Sequence, residues 1–123
     1  MYKLIPTLET THPEVFRSFL EANQRSSTFQ SSFVLPVAYH LVEPSEIESM
    51  AATGNLWSRF DERYPHSGLL ELSRVGFSDN GTQAAFYTSM RCGSLCGNGY
   101  FVIMERRLNS EWVIVQETPL WFS

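Results

Sequence analysis

A chain of 123 residues has the size of one ordinary domain, long enough to bury about two-thirds of the surface that its unfolded form exposes. Hydrophobic residues at 43% and charged residues at 18%, with 14% aromatic, exclude low-complexity disorder. The net charge is −4, and the nine Lys and Arg stand singly except at Arg106-Arg107, which excludes the basic footprint of a phosphate-backbone binder, so no nucleic-acid partner is expected.

No apolar run approaches the roughly 20 residues that span a bilayer, and the start, MYKLIPTLETTHPE, lacks the apolar core of about 7–15 residues found in a signal peptide. The chain reads as soluble, with no membrane span. Neither a repeat nor a linker nor a charge block divides it, so residues 1–123 are expected to form a single α+β domain.

The first helix is signalled at Thr11-His12-Pro13-Glu14, where a Thr N-cap, a Pro in the first turn and a Glu three residues after the cap form a capping box. Val15, Phe16, Phe19 and Leu20 follow as one apolar stripe, and Asn23 to Ser27 breaks the pattern. Phe29 to Val42 reads as extended around Pro36, which makes it an edge or interrupted strand. A second helix opens at Pro44-Ser45, where Ser45 and Glu48 repeat the capping-box spacing. It turns Ile47, Met50 and Ala51 inward and stops near Gly54. A helical turn through Trp57 and Phe60 ends at Pro65.

The period then changes. Leu69 to Phe77, Gln83 to Arg91, Tyr100 to Arg107 and Trp112 to Glu117 are β-branched or aromatic runs, divided by Asp79-Asn80-Gly81, by the Cys-Gly segment and by Asn109-Ser110. They predict an antiparallel meander of four strands. Both faces of the third run are apolar, so it is expected at the centre of the sheet. In the second run Ala85, Tyr87 and Ser89 make a small, polar face, expected to be open or concave, with the helices covering the side of Phe86, Thr88 and Met90. The predicted architecture is N-terminal helices packed on one face of a curved antiparallel sheet.

Trp57, Phe60, Tyr64-Pro65, Gly68, the run Ser73 to Phe77, the segment Cys92 to Tyr100, Trp112 with the valines that follow it, and Trp121-x-Ser123 together resemble a family of small, mostly bacterial proteins with no established activity. The resemblance spans roughly the second half of the chain, and the Cys-Gly segment is its specific part. It implies a secreted or lipid-anchored soluble domain and supplies no cofactor or catalytic residue. The layout is also similar to cystatin-like and NTF2-like folds, in which a sheet curls around a helix, a likeness of architecture that carries no function.

The segment CGSLCGNGY, Cys92 to Tyr100, holds both cysteines. Its glycines permit positive φ where the chain reverses, and Cys92 and Cys96 at a hairpin tip suit a structural disulfide in an oxidising compartment. Closing five residues stabilises by about 2 kcal/mol on chain entropy. A redox dithiol is the competing reading, although the spacing is not Cys-x-x-Cys and the context is a strand, not a helix N-terminus. Zinc lacks further ligands at useful spacing, since His12, His40 and His66 are scattered, so no metal is expected. A phosphate cradle lacks the helix and the Lys that such a loop needs.

Catalytic patterns are thin. His40, three residues from Glu43, and His66, after Tyr64-Pro65, are general-base candidates that read more simply as surface or hydrogen-bonded histidines. Glu71, Arg74 and Tyr87 are the candidate ligand-pocket residues, on the expectation that the face of Tyr87 is concave. Trp57, Phe60 and Trp112 are expected in the core, and Asn80-Gly81-Thr82 reads as a hairpin turn in place of a glycosylation site. The function expected is a non-enzymatic domain that binds a small ligand or a protein, without catalytic residues or cofactor. The alternatives are a small hydrolase or isomerase on the concave face and a dithiol oxidoreductase at Cys92 and Cys96. A bonded pair would favour a secreted or periplasmic mature domain.

Overall fold

The computed structural model describes residues 12–24 and 38–123. Among them are helices α1 (Pro13–Ala22), α2 (Pro44–Ala51) and α3 (Leu56–Arg63), followed by strands β1 (Leu69–Leu72), β2 (Gly76–Phe77), β3 (Gln83–Gly93), β4 (Cys96–Arg106) and β5 (Trp112–Phe122). All pairings are antiparallel, in the order β1-β3-β4-β5, with β2 continuing beyond β1 along the same edge of β3. The fold is α+β, with helices N-terminal to the sheet, as the sequence predicts. The described residues divide into two compact units, one holding α1 and the whole sheet, the other α2 and α3.

Helix α1 begins at Pro13 with His12 as its N-cap and no side-chain cap hydrogen bond. Thr11 of the expected capping box lies outside the described residues, and the Glu14 carboxylate accepts the Asp79 backbone N–H at 2.8 Å. That bond ties the first turn to the β2–β3 connection, across 65 residues of sequence. Val15, Phe16 and Phe19 are buried, whereas Leu20, expected in the same stripe, is 42% exposed. Past the helix, the Asn23 side chain donates to the Phe19 and Arg74 carbonyls and accepts the Arg74 N–H, each at 2.9 Å.

The second capping box fails for a simple reason. Pro44 occupies the first helical position, which makes Glu43 the N-cap and leaves Ser45 inside the helix with no cap to form. Ile47 and Met50 are half-buried and Ala51 is exposed, so α2 buries no residue fully, contrary to the inward stripe expected. Gly54 follows with φ +78°, in the left-handed region that favours glycine after a helix end. In α3, Phe60 is buried and meets Trp57 edge-on at 5.6 Å. Of the run expected to be extended, residues 29–37 lie outside the described residues and 38–42 form no strand.

The sheet has five strands because the first run breaks at Ser73-Arg74-Val75. Ser73 bridges the gap with its N–H on the Tyr87 carbonyl at 2.9 Å and its Oγ accepting the Tyr87 N–H at 2.8 Å, and Asn23 satisfies Arg74. Strand β4 is central, as expected, and β5 runs on to Phe122, past the predicted end at Glu117. Its register shifts leave Val115 and Leu120 as extra, bulged residues, which accommodates Pro119 on an edge strand. At the tight β2–β3 turn, Asn80 Oδ1 accepts from the Thr82 N–H, the Thr82 hydroxyl and the Ser78 hydroxyl, and Gly81 takes φ +70°.

The faces are the reverse of the sequence expectation. Helix α1 packs on the small-residue side, where Val15, Phe16 and Phe19 join Ala85, Tyr87, Phe101 and Ile103 in one buried cluster. Phe101 meets Phe19 edge-on at 4.9 Å and Phe16 at 5.8 Å. Small residues here are a condition of close approach and not a sign of an open surface. A Cβ at Gly76 would land on the Ser18–Phe19 backbone, so this glycine lets the helix lie directly on the strand.

Candidate functional site

Register places the chemistry-bearing residues of the sheet in rows. On the α1-covered face, Glu71, Ser89, Gly99 and Trp121 form one row, and Leu69, Arg91 and Gly97 the next toward the hairpin tip. On the opposite face, Leu70, Met90, Asn98 and Phe122 form one row, and Phe77, Ala84, Met104 and Ile114 another. Ring contacts agree with this assignment: Tyr100 meets Phe122 edge-on at 5.9 Å, and Phe77 meets Trp112 at 6.1 Å.

The Cys-Gly segment is the β3–β4 hairpin, with Ser94-Leu95 as its two-residue turn. Cys92 and Cys96 face each other across it at disulfide distance, with Cα atoms 5.1 Å apart, within the usual range for a bridge. Both cysteines are exposed, and Leu95 at the tip is 87% exposed. The ladder slips between Arg91 and Gly93, so Cys92 occupies a bulge.

The glycines do something other than the expected reversal. Among the described residues, positive φ at glycine is confined to Gly54 and Gly81, so the conformational freedom of Gly93, Gly97 and Gly99 is not what the turn uses. Gly97 and Gly99 are the floor of a slot for the Trp121 indole. A Cβ at Gly97 would meet the ring edge at 3.2 Å, and one at Gly99 would fall onto the indole nitrogen, with Cδ1 at 2.7 Å. The indole N–H donates to the Tyr87 hydroxyl at 2.8 Å, and the Arg91 guanidinium lies 5.2 Å from the ring centroid. Sequence reasoning missed Trp121. The available signal was glycine at alternate positions of one strand, which marks the close approach of another group on one face.

The three candidate pocket residues have different surroundings. Tyr87 is buried in the core cluster, with its hydroxyl engaged by Trp121. Glu71 is exposed on β1 in the row of Ser89, and Arg74 is exposed in the β1–β2 break, held through its backbone. A shallow groove lies instead in the helical unit, lined by Ser49, Met50, Arg59, Glu62 and Arg63. Of the residues expected in the core, Phe60 is buried while Trp57 and Trp112 are half-buried.

The histidines were the other candidates. The His40 ring lies tilted against Tyr64 at 5.1 Å; the Tyr64 hydroxyl donates to Glu46 Oε1 at 2.7 Å, and Arg63 Nε reaches the same oxygen at 3.3 Å. The bond to the Glu46 carboxylate, with a smaller contribution from burial, holds the Tyr64 phenol above its usual pKa. His66 takes φ +59° in the turn after α3. Among the described residues, no three His, Cys, Asp or Glu side chains gather as a metal ion would require, and no helix is long and apolar enough to cross a membrane.

No family model, curated protein or solved structure matches the chain.

Proposed function

We propose that the chain is a non-enzymatic domain that binds a protein partner through one corner of the sheet, on the face away from α1. The observation that carries this reading is the cluster at the β4–β5 end. Phe77 and Ile114 are each 53% exposed, Trp112 is half-buried against Phe77, and Leu108 stands fully in solvent on the adjoining turn. Single exposed apolar residues need no explanation, but a cluster of this kind marks an interaction surface.

Its charge narrows the partner. Arg106 is the register partner of Trp112, is exposed, and has no ion-pair partner among the described residues, while Arg107 beside it reaches Glu105 at 3.5 Å. On a chain of net charge −4, this corner holds its one adjacent pair of arginines. The surface fits a protein segment that presents apolar side chains next to carboxylates. Aromatic and arginine side chains are also the types that dominate binding energy at interfaces.

The probe is a displayed library of random peptides selected against the intact chain. Enriched sequences are expected to pair aromatic or aliphatic residues with Asp or Glu. The Ile114→Glu and Arg106→Glu variants should each bind a selected peptide at least about tenfold more weakly with circular dichroism unchanged, the loss of one buried anchor or one charge pair. Peptides that bind both variants as well as the parent would overturn the proposal.

A further inference from the structure

We propose that the Cys92–Cys96 pair is a thiol-exchangeable clip that holds Trp121 in its slot, so that a dithiol reductant unseats the indole. The inference is independent of the binding corner, which lies at the other end of the same strands.

Arg91 and Gly97 are register partners, and the two cysteines follow and precede them immediately, at the next step toward the tip. Arg91 is the cation against the indole, and Gly97 is part of the floor beneath it. The bridge therefore closes the hairpin directly beyond the two residues that flank the ring. Cys92 sits in the bulge, outside the ladder that pairs Arg91 with Gly97 and Leu69, so the bridge is what ties the chain just beyond Arg91 to β4. Beyond the slot, the backbone of β5 is held near its end by the Ser123 N–H on the Gly97 carbonyl at 3.1 Å, so loosening Gly97 also loosens the strand that carries Trp121.

Both cysteines are exposed, which gives a thiolate access to the bond. One thiolate of the reductant attacks one sulfur, the S–S bond breaks, and the other cysteine leaves as a thiolate that takes up a proton. The second thiol of the reductant then attacks the mixed disulfide and releases the remaining cysteine. Two electrons and two protons pass to the protein, and the dithiol becomes a cyclic disulfide. The reductant is named by class alone: a dithiol, small or carried on a protein.

The test uses the full chain labelled with ¹⁵N, in which the indole N–H groups of Trp57, Trp112 and Trp121 give separate signals, assigned with Trp121→Phe. Dithiothreitol is added until mass spectrometry shows the gain of two hydrogens. Releasing a five-residue loop corresponds to roughly 30-fold faster local opening, so exchange of the Trp121 indole proton should rise by about that factor while Trp57 and Trp112 change less than about twofold. Reoxidation should restore it. Reduced protein with an unchanged Trp121 signal would overturn the coupling, and a bridge that resists excess dithiol in the folded chain would overturn the exchange. Cys92→Ser with Cys96→Ser should reproduce the reduced spectrum, and the wild-type titration stands without it.

Discussion

Replacing Gly99 with Ala separates two explanations of glycine in a central strand. Glycine that merely weakens a strand should give way to alanine with a gain of about 0.5–1 kcal/mol from chain entropy. In this sheet the new Cβ falls on the Trp121 indole, and the indole must move. Its displacement loses the hydrogen bond to Tyr87, about 1 kcal/mol, and the Arg91 contact, about 0.5 kcal/mol. Returning on the order of 100 Å² of the ring to water costs a further ~2.5 kcal/mol at 25 cal/mol per Å². Set against the entropic gain, Gly99→Ala should destabilise by about 2–4 kcal/mol. Urea denaturation followed by circular dichroism measures this, with an unchanged slope confirming a native-state effect. In a Trp121→Ala background the same substitution should be neutral or stabilising, because nothing then occupies the slot. A gain in stability in the parent chain, or an equal cost in both backgrounds, would refute the slot.

Phe19→Ala removes a buried ring that packs edge-on against Phe101, and should cost about 3–5 kcal/mol in the same assay; a loss under about 1 kcal/mol would place α1 at the periphery. Gly76→Ala should cost about 1–3 kcal/mol, because the Cβ meets backbone of α1 that cannot rotate away; a neutral result would mean the helix stands further from the sheet. Tyr64 should ionise above the usual value of about 10, read from its ring ¹³C shift against pH, and Glu46→Gln should bring the midpoint down. The raised value favours the protonated phenol, so the stability it contributes is complete below about pH 10 and is lost as pH rises through the folded value. A midpoint that Glu46→Gln leaves unmoved would remove Glu46 as the cause.

The elements were legible because their signals are local. The stripe Val15, Phe16, Phe19, the Asn80-Gly81 turn and the alternation along Tyr100 to Arg107 each depend on neighbours within a few residues. The capping box at Ser45 misled because the proline at the first helical position moves the cap upstream to Glu43. The choice of face failed for a long-range reason. Ala85 and Gly76 are small because helix backbone lies on them, and a sequence pattern shows size without showing what fills the space. The Cys-Gly segment was half-legible: proximity of Cys92 and Cys96 follows from a hairpin, but the purpose of Gly97 and Gly99 depends on Trp121, more than twenty residues away on another strand.

The central functional claim is where a partner docks. A ¹H–¹⁵N map of the labelled chain, titrated with a peptide selected for binding, tests it most directly. Shifts should concentrate at Phe77, Arg106, Leu108, Trp112 and Ile114, around the exposed apolar and basic corner. Shifts confined to the Trp121 slot, or to the groove of Ser49, Arg59 and Arg63, would contradict it and move the binding site to the other end of the sheet or to the helical unit.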